Sequence, residues 1–117
     1  MADSLTARFF NQVDRTAQER GRRYFLHGAV NFIEGTAWTM HAAVQGTRLY
    51  DVQVSTENHH VNASCTCPYF ERVQEPCKHV WAALLAAERS GLLSGLNSLA
   101  APHLRGVAAQ PLAPAGG

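Results

Sequence analysis

The chain has almost no net charge to offer a partner. Ten lysines and arginines against nine acidic residues leave +1 over 117 residues with the histidines neutral. No claim on nucleic acid or anionic lipid follows from an overall field that weak. No stretch approaches the roughly 18 uninterrupted apolar residues that a membrane-crossing helix needs. The start, Met1-Ala2-Asp3-Ser4, lacks a basic segment followed by an apolar run, so no secretory leader is expected. Cysteine is scarce and odd in number, three in all, which argues against a disulfide framework. Reduced thiols without an export signal make the cytoplasm the expected compartment. A phosphate-binding Gly-x-x-x-x-Gly-Lys-Ser/Thr loop is missing, and no nucleophile–base pair or carboxylate constellation stands out. Catalysis by this chain is therefore not expected.

What is present suffices for one folded unit. Hydrophobic residues make up 46% and charged residues 16%, a balance that supports a packed core. The length fits one domain rather than two. A core this small is often supplemented by a metal.

The N-terminal part reads as helical. Asp3 or Ser4 is placed to cap a short helix through Phe10, with Leu5, Phe9 and Val13 on one face. Asp14 is placed to cap a second helix with Ala17, Gly21, Tyr24 and Phe25 on one face and Gly28 just past its end. Gly21 costs about 1 kcal/mol relative to alanine in a helix interior, and close packing against a sheet is a reason to keep it. From Ala29 the period changes. Val30–Glu34 reads as a strand. Trp38, Met40, Ala42 and Val44 alternate with polar or small residues, as do Tyr50, Val52 and Val54, and Val61, Ala63 and Cys65 follow. Lys78 to about Arg89 returns to a helical pattern with a wide apolar face, ending near Gly91.

The cysteines concentrate in one segment. Cys65-Thr66-Cys67 is followed after nine residues by Cys77-Lys78-His79. Three thiols and an imidazole are the donor set of a closed, four-ligand structural zinc site. In extended chain, residues two apart face the same way, so Cys65 and Cys67 can reach one ion. In a helix, residues two apart face nearly opposite ways. Cys77 is therefore expected at or before the helix cap, with His79 in the first turn and the positive helix end near the thiolates. Pro68 is read as ending the strand. His59 and His60 read as solvated turn residues.

These motifs, Cys65-Thr-Cys-Pro-Tyr-Phe70 and Cys77-Lys-His-Val-Trp-Ala-Ala-Leu-Leu-Ala86, resemble the SWIM zinc finger. The upstream run Arg20-Gly-Arg-Arg-Tyr24, with Gly28 and Val30, is similar to the helix and strand preceding the finger in many bacterial members, so the likeness extends over roughly 16–88. The resemblance implies Zn²⁺ held by Cys65, Cys67, Cys77 and His79. It further implies a module that binds DNA or protein without catalysis of its own, resembling either the N-terminal module of bacterial SNF2-type helicases or a small stand-alone SWIM protein.

The expected class is α+β, with N-terminal helices, a small antiparallel meander of three to four strands, and a zinc-anchored C-terminal helix. Residues 1–90 form the SWIM-type domain: a helical part at 3–28, a sheet at 29–65, and the zinc motif and helix at 65–89. The segment 91–117, rich in Ala, Leu, Gly and Pro, reads as a linker or disordered tail. Leu92, Leu93, Leu96 and Leu99 offer the alternative of a further helical turn or a docking stripe. Two functions stay open. Arg15, Arg20, Arg22 and Arg23 cluster on one predicted helix, with Arg72 and Lys78 beside the metal motif. Of these, Arg22, Arg23, Arg72 and Lys78 are the candidate nucleic-acid contacts, since arginine suits phosphate; of the aromatics beside the finger, Phe70 suits packing and Tyr69 is left open. The near-neutral charge equally fits a protein-docking module, on a separate partner or an adjoining SNF2-type ATPase. Neither a membrane nor a small-molecule substrate is expected.

Overall fold

The structure, a computed structural model, describes residues 4–108. A 3₁₀ helix at Thr6–Gln12 leads into α1 (Arg15–Leu26). Four strands follow: β1 (Val30–Gly35), β2 (Met40–Gln45), β3 (Leu49–Glu57) and β4 (His60–Cys65). A short helix α2 (Pro68–Val73) precedes α3 (Lys78–Ser90). A second 3₁₀ helix (Ser94–Ser98) and a last strand, β5 (His103–Gly106), complete the described fold.

The class is α+β as expected, but the sheet has five strands in the order β1-β2-β3-β4-β5. The first four form the antiparallel meander, and β5 adds to β4 in parallel. Met40, Ala42, Val44, Val52, Val54, Val61, Ala63 and Cys65 turn one face of the sheet into the core. Trp38, expected in that alternation, lies before β2 and stays 45% exposed. The opposite face is polar, with His41 Nε2 3.3 Å from Asp51 Oδ1 across the β2–β3 pair.

The α3 helix is apolar almost all round, as a helix covered on several sides must be. Its residues Val80, Trp81, Ala83, Leu84 and Ala87 are buried between the sheet and α1. Gly21 makes the α1–α3 contact possible. A Cβ there would lie 2.6 Å from the Lys78 carbonyl oxygen and 2.9 Å from Trp81 Cβ. The close approach expected of Gly21 is thus to α3 rather than to the sheet. At the start of α1, Asp14 accepts hydrogen bonds from the Thr16 and Ala17 N–H groups, the N-cap read from the sequence. Asp3 lies outside the described residues, while Ser4 Oγ accepts from the Ala7 N–H at 3.2 Å.

The linker reading of the segment after Gly91 is corrected through Ala108. Leu93, Leu96 and Leu104 are buried, and Leu92 and Leu99 pack against the core. The backbone is fastened as well. Leu93 N–H donates to the Thr36 carbonyl and Gly95 N–H to the Ala37 carbonyl. The first 3₁₀ helix grips the same segment. Leu104 N–H donates to Gln12 Oε1 at 2.7 Å, and the Arg8 guanidinium donates to the Asn97 and Leu99 carbonyls. The leucines therefore fill the core instead of forming an exposed docking stripe. Pro111, Pro114 and the Gly116-Gly117 end, which contributed to the linker reading, lie outside the described residues.

Candidate metal centre

Cys65 ends β4, and Cys67 is the N-cap residue of α2 with extended backbone (φ −73°, ψ 154°). Pro68 does not merely stop a strand. It occupies the first turn of α2, where its missing N–H costs nothing and its fixed φ suits a helix start. Cys77 is the N-cap residue of α3, and His79 lies in the first turn, the arrangement the i, i+2 spacing demanded. Two helix N-termini thus meet at the sulfurs, and their positive ends favour thiolate. Phe70 N–H donates to Cys67 Sγ at 3.4 Å.

All four side chains are buried, and their ligand atoms lie within 4.8 Å of one another. His79 Nδ1 is 3.7 Å from Cys65 Sγ and 3.9 Å from Cys77 Sγ. A tetrahedron built on Zn–S of about 2.3 Å and Zn–N of about 2.0 Å has edges of roughly 3.5–3.8 Å. The donor set and its spacing therefore fit a divalent ion of zinc type, with Nδ1 as the ligating nitrogen. The three cysteines are free thiols rather than disulfides.

Proton affinities in the metal-free cluster show the same crowding. Hydrogen bonds from the Cys65 and Cys77 thiols hold the Cys67 thiol far below the ordinary range. Cys65 is pushed far above it, first by its hydrogen bond to Cys67, then by that to Cys77 and by burial. For Cys77 the Cys65 contact pulls down, but the Cys67 contact and burial prevail and raise it to about 11. A divalent ion replaces the thiol protons and lets all three sulfurs ionise.

The imidazole of His79 is held between two rings. Tyr50 lies 4.6 Å away between centroids and Tyr24 5.2 Å away. The β2–β3 turn closes over it, since a Cβ on Gly46 would lie 3.4 Å from His79 Nε2. Nε2 itself is buried without a hydrogen-bond partner. Tyr50 was legible as an inward residue of β3. In register Val52 faces Cys65, so the same face carried two residues further along β3 reaches the metal ligands. Tyr24 gave no comparable signal beyond its place on the inner face of α1.

Beside the ligands opens a cleft of about 240 Å³. Cys67, Cys77 and His79 form part of its wall, with Tyr24, Tyr50 and Tyr69 around it and Arg20, Lys78 and Asp14 also lining it. Of the four proposed nucleic-acid contacts, only Lys78 reaches this cleft, its Nζ 5.6 Å from the Tyr24 ring centroid. Arg22, Arg23 and Arg72 are exposed on α1 and α2 and do not line it. Arg20, one helical turn before Tyr24, takes their place. Phe70 is buried in the core, whereas Tyr69 is exposed.

His59 is exposed as expected, but His60 is the first residue of β4 and half-buried, edge-on to His103 at 5.7 Å. Neither joins the ligand cluster; among the described residues, Cys65, Cys67, Cys77 and His79 are the one group of three or more such donors. No helix among the described residues is long and apolar enough to cross a membrane.

Residues 50–88 match the family model described as the SWIM zinc finger. That span runs from Tyr50 in β3 through nearly all of α3 and includes every ligand. The upstream run Arg20–Val30 lies outside it. No curated protein and no solved structure matches the chain. The matched span and the geometry of its four donors agree, and this segment of the chain is a SWIM zinc finger.

Proposed function

We propose that the chain is a non-catalytic nucleic-acid-binding module whose contact surface is the face around the metal centre. The observation that carries this reading is the cleft beside the ligands, where three tyrosines meet Arg20 and Lys78. Aromatic faces and cations together are the usual equipment for holding a nucleic-acid strand. A catalytic zinc site keeps a coordination position for water; here four protein donors converge, which supports a structural ion. The cleft is also smaller than the roughly 300–1,000 Å³ typical of small-molecule pockets.

The burial of Leu93 and Leu96 removes the exposed leucine stripe that would have favoured docking on a protein. Attachment to an SNF2-type ATPase, which would supply any motor activity, and a cytoplasmic location belong to this proposal and rest on the SWIM resemblance and the reduced thiols.

The test is anisotropy of labelled oligonucleotides against zinc-loaded protein at low and physiological salt. Micromolar binding that weakens with salt, and weakens further in an Arg20→Gln, Lys78→Gln double variant, is the expected result. A folded, zinc-containing protein that binds neither single strand nor duplex would sink the reading and leave protein docking in its place.

A further inference from the structure

Resting on the nucleic-acid reading above, we infer that the cleft takes one unpaired base of a single-stranded nucleic acid, stacked on Tyr69, with flanking phosphates at Arg20 and Lys78. Three observations converge on an unpaired base rather than a duplex backbone.

The first is which ring is free. Tyr24 and Tyr50 each lie against His79, and Tyr24 also carries Lys78 near its ring. Tyr69 is 42% exposed and, among the described residues, pairs with no other ring. It is the second residue of α2, directly after Pro68, so its backbone is fixed by the helix start and by the neighbouring ligand Cys67. A solvent-facing aromatic ring that lines a cleft is a stacking platform.

The second is the distribution of charge. With a divalent ion bound, three thiolates leave the centre at −1, and Cys67 and Cys77 form part of the cleft wall. Asp14 lines the same cleft; its Oδ2 already caps α1, leaving Oδ1 to accept from a base N–H group such as N3–H of thymine. Phosphate is repelled from that interior, whereas a neutral planar base is not. The positive charge needed for phosphate sits on Arg20 and Lys78.

The third is magnitude. A chain of net charge +1 has little long-range attraction for a duplex, whose binding leans on many phosphate contacts. Two phosphate contacts to a single strand give a slope of log K against log salt of only about −1.4. Stacking supplies the rest without needing charge.

The test uses the full zinc-loaded chain and three probes of equal length: oligo-dT, the same strand with central abasic sites, and a hairpin duplex, with oligo-rU to separate RNA from DNA. Oligo-dT is expected to bind more tightly than the duplex with a shallow salt slope. Tyr69→Ala is expected to weaken it by roughly 5- to 150-fold at unchanged zinc content, while Tyr69→Phe stays within about twofold because the ring remains. The abasic strand is expected to lose affinity on the unmodified protein, which tests the base contact without any variant having to fold. Equal binding of abasic and intact strands, or a Tyr69→Ala variant that binds oligo-dT unchanged, overturns the inference. Tighter duplex binding that depends on Arg20 and Lys78 overturns it too, yet leaves the nucleic-acid reading standing. Absence of all binding by folded protein ends both.

Discussion

Strand β4 is fastened at its two ends by different physics. At Cys65 it is tied to α2 and α3 through four side chains that converge on one point. Alongside its length from His60 to Ala63, it is tied to β5 by backbone pairing and by the buried Leu104, which stands beside Val61 in register. The first tie concentrates its free energy in a few donors with special chemistry. The second spreads it over ordinary apolar side chains and backbone groups, none of which is individually distinctive. The two ties also touch. Gly106 of β5 abuts the end of α2 so closely that a Cβ would lie 2.0 Å from the Gln74 carbonyl oxygen.

Breaking the metal tie should have the largest effect. Structural zinc contributes on the order of 10–16 kcal/mol of apparent binding free energy near neutral pH, comparable with the whole stability of a small domain. Removing zinc with a chelator, or making Cys77→Ser, is expected to abolish the cooperative thermal transition followed by circular dichroism. A chelated protein that still melts cooperatively at the same temperature would make the metal dispensable. Breaking the β5 tie should cost less. Leu104→Ala is expected to lose about 2–5 kcal/mol in chemical denaturation, as for other buried leucines, while one zinc per chain is retained. A loss of zinc in that variant would mean the two ties are one unit. Smaller still is Gly21→Ala, where the added methyl meets the Lys78 carbonyl. Overpacking is expected to cost about 1–3 kcal/mol, offset by the roughly 1 kcal/mol gained in helix propensity. An increase in melting temperature would show that α1 can shift away from α3.

Acid sharpens the contrast between the ties. In the metal-free cluster Cys65 lies far above the ordinary thiol range and Cys77 is raised to about 11. Metal binding must displace both protons, so affinity falls as pH falls and rises toward alkaline pH. Competition with a chromogenic chelator across the neutral range is expected to show proton release on zinc binding. Pairing through Leu104 involves no proton, so the stability lost in Leu104→Ala should not follow that profile. A pH-independent zinc affinity would mean that the sulfurs are not protonated before binding.

The same contrast explains what could be read in advance. The ligands were legible because zinc demands particular atoms at particular spacings, and α3 was legible because a wide apolar face has no other use. The helix α2 was hidden because Pro68 both ends strands and starts helices, and only the caps at Cys67 and Gln74 decide between them. β5 was hidden because its four residues, His103–Gly106, follow Pro102 in a stretch of Ala, Leu and Gly whose composition suits a linker. Its burial depends on partners far away in sequence, Gln12 and β4. The cleft escaped for a similar reason. Arg20, Tyr50 and Tyr69 come from three elements that meet only after folding, and nothing within the arginine cluster of α1 sets Arg20 apart from Arg22 and Arg23.

The most direct test of the metal centre is a cobalt(II) titration of the metal-free chain, followed by its visible spectrum. Saturation at one equivalent, with the intense bands of a tetrahedral ion and sulfur-to-metal charge transfer that weakens in Cys65→Ser and shifts in His79→Ala, is the predicted result. Weak octahedral bands, or a spectrum indifferent to both substitutions, would contradict a centre built from Cys65, Cys67, Cys77 and His79.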